Sequence, residues 1–182
     1  YRRQRQMCIR DRDIMNKRDF SNTQKLTLSA MVMALYIVVL YFTQSFSFGA
    51  YQIRIATSLY ALSYFCPFLV FPLGLANFIA NALFGGLGLL DMVGGCLVGI
   101  AASGSVVLIH KFHLPKLTIV LPITFIPGLC VPIWLSYCLH IPYQPLAASL
   151  CIGQIVPAIC GTAMILLFEK RFSLLMQKGD IL

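Results

Sequence analysis

The stretch Ser58–Phe84, with the sequence SLYALSYFCPFLVFPLGLANFIANALF, decides the fold of this chain. It is almost entirely apolar, and it is longer than the roughly 20 residues that one membrane-spanning helix needs. Pro67 and Pro72 interrupt it. It therefore forms either one kinked helix or two short helices joined by a tight turn, and the choice fixes the number of spans.

The composition of the whole chain places this stretch in a membrane protein. Of its 182 residues, 59% are hydrophobic and 11% are charged, and the mean hydropathy is +0.82. Soluble domains carry about a quarter charged residues, so the composition excludes a water-soluble globule. The apolar runs do not alternate with period two as the strands of an outer-membrane barrel do. The sequence predicts an all-α integral membrane protein.

The basic residues favour two short helices in Ser58–Phe84 and hence six spans. The other apolar runs are Leu26–Phe42, Asp91–Ile109, Leu117–Leu139 and Leu146–Phe168. With six spans both termini are cytoplasmic, and eight of the nine basic residues from Met15 onward lie inside, with Arg54 alone outside. With five spans several of them would face outward, against the positive-inside rule. The eight inner residues are Lys17, Arg18, Lys25, Lys111, Lys116, Lys170, Arg171 and Lys178.

The same considerations divide the chain into four parts. Residues 1–14 contain MCIRDR, which looks like translated sequencing-adaptor read-through, and we interpret them as a non-native extension. Residues 15–25 are expected to be a cytoplasmic N-terminus and residues 170–182 a cytoplasmic tail. Residues 26–169 form the predicted six-helix membrane domain.

Only two charged side chains, Arg54 and Asp91, lie between Lys25 and Lys111. A charge in such surroundings is expensive unless it is paired, reaches water or binds something. Six spans bring both to the outer side, as a polar binding pocket requires. The plainer alternative is an ion pair that ties two loops, but an exposed pair contributes only about 0–1 kcal/mol.

Several uncharged side chains are candidates to line the same pocket. Asn77 and Asn81 lie one helical turn apart, and Gln154 precedes Pro157 in the last span. Amides inside a bilayer need partners, so these three are hard to explain as lipid-facing residues. Gln52 lies beside Arg54, and Trp134 lies near the outer end of the fifth span, where an interfacial aromatic belt is the alternative.

Ala30 and Ala34 form a strip of small residues in the inner half of the first span. Such a strip lets another helix backbone approach closely. Ala76/Ala80 and Gly95/Gly99 have the same spacing, and most strips of this kind serve internal packing.

Other chemistry has little support in the sequence. The formal charge of +8 is spread around the apolar segments rather than over a face for nucleic acid. The sequence contains no arrangement typical of a hydrolase or metalloenzyme, so we do not expect an enzyme or a metal site. It also lacks the P-loop pattern, so any ATP must be used by a partner and no cofactor is expected in this chain.

The segments YQIRIA and GLANFIANALFGGLGLLD, with the glycine-rich helix that follows, resemble the QueT family of queuosine-precursor transporters. This family belongs to the S components of energy-coupling-factor (ECF) transporters, and the resemblance covers about Lys25–Arg171. It implies a six-helix bundle in the cytoplasmic membrane that captures a vitamin-like molecule from outside. It also implies a transmembrane T component, which would contact Ala30 and Ala34, and two cytosolic ATPases as partners.

The resemblance suggests preQ0 or preQ1, which are 7-deazaguanines, as the substrate. Asp91 would accept from the N–H donors of the base and Arg54 would address its carbonyl edge, while the amides complete the rim. Family members often read RISEAL or RIAEAL, and Thr57 stands here where they carry glutamate. Two alternatives therefore stay open: an S component for another vitamin-like molecule, and a membrane scaffold without transport activity.

Overall fold

The computed structural model describes residues 21–47, 52–85 and 87–179, except for the side chains of residues 46 and 170–179. Every regular element within these ranges is a helix. The α-helices are α1 Asn22–Phe42, α2 Gln44–Ser47, α3 Val70–Ala80, α4 Leu89–Lys111, α5 Val120–Leu139 and α6 Tyr143–Gly179. Three 3-10 helices cover Ile55–Tyr64, Pro67–Leu69 and Lys116–Ile119, and a π-helical turn, Asn81–Gly85, extends α3.

Five helical segments of the described chain are long and apolar enough to cross a membrane. The prediction of an all-α, multi-span membrane protein is therefore confirmed, whereas the number of six spans remains a prediction. The predicted extension 1–14 lies outside the described residues, and the predicted boundary at residue 169 falls within α6. The five segments are Asn22–Phe42, Pro67–Gly85, Leu89–Lys111, Lys116–Leu139 and Tyr143–Glu169.

The stretch Ser58–Phe84 divides into two helices at Phe65 and Cys66, as the six-span prediction requires. Pro67 is the first residue of the second helix, and Pro72 lies in the first turn of α3. Both prolines are tolerated there because the N–H groups of a first helical turn have no intrahelical acceptor. The first of the two helices, Ile55–Tyr64, is a 3-10 helix of 10 residues. It spans only about 20 Å, less than the roughly 30 Å of a hydrocarbon core.

Side-chain contacts show that successive long elements run in opposite directions. The ring of Tyr41 near the end of α1 contacts Phe84 at the end of the π-helical turn, and Asn81 bonds to Asp91 at the start of α4. At the other end of the bundle, Tyr64 contacts His110. We refer to these two ends as the Asp91 end and the His110 end.

The His110 end also carries an ion pair. Lys116 donates to Glu169, which ties the connection before α5 to α6. Both side chains are partly exposed, so this pair contributes at most about 1 kcal/mol. Its position does show that α6 returns to the end from which α5 starts.

The helices pack at small residues, while α1 stays at the periphery. A methyl group added to Gly99 would lie 3.1 Å from the Cα of Gly74, and one added to Gly161 would lie 2.8 Å from the carbonyl oxygen of Ser58. The span in α1 is the least buried of the five. Its inner face carries Tyr36, whose ring stacks on Tyr60 at 5.9 Å.

Candidate functional site

Arg54 directly precedes the 3-10 helix Ile55–Tyr64, and its side chain is only 6% exposed. One guanidinium nitrogen, Nη1, donates to Oδ1 of Asn77 at 3.3 Å. The amide nitrogen of Asn77 in turn donates to the carbonyl oxygen of Gly95 at 2.7 Å. A buried charge costs several kcal/mol unless such polar contacts compensate it. Arg54 is therefore held inside the bundle rather than at a loop surface.

Asp91 lies in the first turn of α4 and is 2% exposed. The partial positive charge of a helix N-terminus favours a carboxylate at this position. Its Oδ1 accepts a hydrogen bond from the indole nitrogen of Trp134 at 3.1 Å, and its main-chain carbonyl accepts from Nδ2 of Asn81 at 2.9 Å. These two contacts join α5 and the end of α3 to the start of α4.

Gly95 lets the two asparagines reach α4. A methyl group on this residue would lie 2.4 Å from Nδ2 of Asn81 and 3.3 Å from Nδ2 of Asn77. The first distance is shorter than side chains tolerate, so a larger residue would displace the amide of Asn81. The polar contacts of α3 with α4 therefore depend on a residue without a side chain.

A second group of polar residues links α6 to the 3-10 helix. Oγ1 of Thr57 lies 2.9 Å from Oε1 of Gln154 and 2.7 Å from the carbonyl oxygen of Arg54. Nε2 of Gln154 faces the carbonyl oxygen of Gln52 at 3.5 Å. Gln52 has a left-handed φ of 42°, and it contributes its main-chain oxygen rather than its amide to this contact.

The structure thus brings all seven predicted substrate-binding residues to the Asp91 end of the bundle. Their role in binding remains a prediction. We call the set, together with Thr57, the polar cluster. Its members are Gln52, Arg54, Thr57, Asn77, Asn81, Asp91, Trp134 and Gln154.

Two features of this region were not predicted. The sequence marks Thr57 only as a departure from a family pattern, whereas in the structure its hydroxyl contacts Gln154, 97 residues further along the chain. Tyr36 and Tyr60 are both fully buried, and their hydroxyl oxygens lie 3.2 Å apart. No local sequence pattern distinguishes such a pair from the aromatic residues of a membrane interface.

The three strips of small residues differ in exposure. Ala30 and Ala34 lie on the exposed face of α1, whereas Ala76 and Ala80 are fully buried. Gly99 packs against Gly74 inside the bundle. Of these strips, the one on α1 is the strip that another helix could reach.

A comparison with protein-family models identifies the family. The model of the QueT transporter matches residues 26–170, which include the whole polar cluster and the strip on α1. No curated protein and no solved structure matches the chain. The match covers most of the sequence and agrees with the resemblance of its motifs, so the chain belongs to the QueT transporter family. It is a multi-pass membrane protein with a role in transport, and transporters of this kind are generally not enzymes.

Proposed function

We propose that this member of the QueT transporter family is the substrate-binding S component of an ECF-type uptake transporter. The observation that carries the proposal is the burial of Arg54 and Asp91 at the same end of the bundle. Asn77 contacts Arg54 and the main chain of α4. Asn81 contacts the main chain of Asp91, which also belongs to α4. Ionisable residues inside a membrane domain are costly and mark binding sites by default. The polar cluster is the proposed substrate site.

The proposed topology has six crossings and both termini in the cytoplasm. The 3-10 helix Ile55–Tyr64 is the sixth crossing, since it runs between the two ends of the bundle in the direction opposite to α3. Lys111 and Lys116 lie toward the His110 end, away from Arg54. The positive-inside rule makes that end cytoplasmic, so the polar cluster would lie toward the outer side of the cytoplasmic membrane.

The proposed partners are a transmembrane T component and two cytosolic ATPases. The exposed strip of Ala30 and Ala34 is the docking face for the T component, since small side chains allow close approach of a second helix. The sequence carries no P-loop, so ATP is hydrolysed by the ATPases and this chain needs no cofactor of its own.

The proposed substrate is a queuosine precursor, preQ0 or preQ1. A 7-deazaguanine base offers N–H donors, a carbonyl oxygen and a flat face. Asp91 can accept hydrogen bonds, Arg54 can donate them, and the half-buried ring of Trp134 lies beside Asp91. The combination matches the base in polarity and offers an aromatic ring near its flat face.

Binding to the purified protein tests this proposal. We expect preQ0 or preQ1 to bind the detergent-solubilised wild type in isothermal titration calorimetry, and Arg54→Leu to abolish that binding. Tyr137→Phe, an exposed residue near the end of α5, is the matched control and should bind normally. Absence of binding to the folded wild type would refute the proposed substrate.

The alternative substrate class has one observation in its favour. Thr57 stands where family members often carry glutamate. It is buried and contacts Gln154, so the site lacks that carboxylate. Native mass spectrometry of the protein extracted with its bound molecule separates the alternatives. A co-purified 7-deazaguanine supports the proposal, a different vitamin-like molecule supports the second candidate, and an unliganded protein that binds no T component supports the scaffold.

A further inference from the structure

We infer that Oδ2 of Asp91 and Oδ1 of Asn81 form a two-acceptor subsite that receives two N–H donors from one edge of a heterocyclic ligand. The inference rests on the proposed function and specifies the chemistry of its site. Both oxygens are buried, and neither has a hydrogen-bond partner among the described residues. Their side chains are each 2% exposed. An unpaired acceptor in such surroundings is costly, so a ligand that supplies donors gains from pairing it.

The other atoms of these two side chains are already engaged. Trp134 donates to Oδ1 of Asp91, and Nδ2 of Asn81 donates to the main-chain carbonyl of Asp91. Each side chain is therefore fixed in orientation and has one acceptor left. Only one oxygen of the carboxylate is available, because Trp134 occupies the other. The second acceptor for a neighbouring ligand donor is therefore the amide oxygen of Asn81.

Gly85, the last residue of the π-helical turn, approaches both side chains closely. A methyl group there would lie 2.8 Å from Oδ2 of Asp91 and 3.5 Å from Cβ of Asn81. Any larger residue would cover the carboxylate oxygen. The glycine thus keeps the position next to Oδ2 of Asp91 free of a side chain, and it provides an observation independent of the unpaired oxygens.

These features specify a ligand edge with two neighbouring N–H donors. The ring N–H and the exocyclic amine of an aminopyrimidinone, as in guanine and 7-deazaguanine, form such an edge. 7-Deazahypoxanthine keeps the ring N–H and lacks the amine. A base of that kind would leave one of the two buried acceptors unpaired, which weakens binding by about 10- to 100-fold.

The first test uses the wild-type protein and this matched pair of ligands. We expect isothermal titration calorimetry to give an affinity for 7-deazaguanine about 10- to 100-fold higher than for 7-deazahypoxanthine. Equal affinities would overturn the subsite and leave the proposed function intact. If neither base binds, both the subsite and the proposed substrate class are wrong.

The second test replaces one acceptor by a donor. In Asp91→Asn the indole N–H of Trp134 retains the amide oxygen, so the NH2 group takes the place of Oδ2 and opposes the ligand donor. We expect the affinity for 7-deazaguanine to fall at least about 100-fold. Size-exclusion chromatography and the fluorescence of the single tryptophan verify the fold of the variant. An unchanged affinity in a folded Asp91→Asn protein would remove Asp91 from the subsite.

A third measurement separates a donor subsite from a cation site. If the two oxygens bind a small cation instead, sodium should raise the thermal stability of the ligand-free wild type and not that of Asp91→Asn. The inference predicts the same melting temperature for the wild type in sodium and in choline buffer at equal ionic strength. A stabilisation by sodium that Asp91→Asn abolishes would overturn it.

Discussion

Trp134 donates its indole N–H to Oδ1 of Asp91 at 3.1 Å, which connects the fifth helix to the first turn of the fourth. The chain contains one tryptophan, so this contact also places its intrinsic fluorophore beside the candidate substrate site. The indole thereby orients the carboxylate, and its fluorescence can report on ligand binding beside Asp91.

Trp134→Phe should weaken ligand binding while the fold persists. The substitution keeps an aromatic ring but leaves Oδ1 of Asp91 without its donor. We expect about a 10-fold loss of affinity and a stability loss of about 1–3 kcal/mol, since a buried carboxylate oxygen becomes unpaired. Calorimetry and thermal unfolding in detergent measure the two effects. Tyr137→Phe, whose residue is 78% exposed on the same helix, should change neither, and an equal response of both variants would contradict the role of the indole.

Gly95→Ala should damage the polar cluster, whereas Gly104→Ala on the same helix should not. The added methyl group at residue 95 would lie 2.4 Å from Nδ2 of Asn81, while the nearest neighbour at residue 104 would be 3.9 Å away. Overpacking costs about 1–3 kcal/mol, so we expect a lower melting temperature and weaker binding for Gly95→Ala. Gly104→Ala should be neutral, or stabilising by about 0.5–1 kcal/mol, because glycine is unfavourable inside a helix. Comparable losses in the two variants would show that α4 tolerates no substitution, rather than that the amides need Gly95.

Ala30→Trp and Ala34→Trp should abolish association with a T component without affecting the fold. Both residues are exposed on α1, so the bulky ring meets lipid rather than the bundle core. Co-purification with the T component measures association, and calorimetry with the ligand verifies the site. Ala76→Trp is the contrasting variant, because residue 76 is fully buried and a tryptophan there should unfold the protein. Retained complexes with tryptophan at residues 30 and 34 would rule out this docking face.

Accessible cysteines should show which end of the bundle faces the cytoplasm. Leu114 lies between α4 and α5, and Ile141 lies between α5 and α6; both are exposed. In a background without native cysteines, a membrane-impermeant maleimide added to whole cells should label Ile141→Cys directly. It should label Leu114→Cys only after permeabilisation. The reverse pattern would place the polar cluster on the cytoplasmic side and contradict uptake.

The sequence could predict the division of Ser58–Phe84 and the convergence of the charges, because both follow from local or compositional rules. Pro67 and Pro72 leave a kinked helix and two short helices open, and the positions of the basic residues favour the two helices. Arg54 and Asp91 are the two charges of a long apolar region, so the cost of burying them unpaired favours a common polar site. The amides Asn77, Asn81 and Gln154 were predicted for the same reason.

The helix type and the side-chain pairings could not be predicted in this way. The 3-10 geometry of Ile55–Tyr64 accompanies tertiary contacts, such as the bond from Ser63 to the carbonyl oxygen of Ser103 and the approach of Gly161 to Ser58. By sequence alone Trp134 fits an aromatic belt equally well, and only its hydrogen bond to Asp91 assigns it to the polar cluster. These contacts join residues that are far apart in sequence, and no local pattern encodes them.

The 3-10 helix also sets the depth of the site. Ten residues at about 2.0 Å each cover roughly 20 Å, whereas the 21 residues of α1 cover about 31 Å. Tyr64 is level with His110 near the end of α4, so the shortfall of about 10 Å falls on the opposite side, where Arg54 begins the helix. The guanidinium of Arg54 contacts Asn77, which donates to the carbonyl oxygen of Gly95. Gly95 lies six residues, or about 9 Å, along α4 from its start toward the His110 end. A molecule bound as proposed would therefore extend from Asp91, in the first turn of α4, toward the deeper level of Arg54 and Asn77.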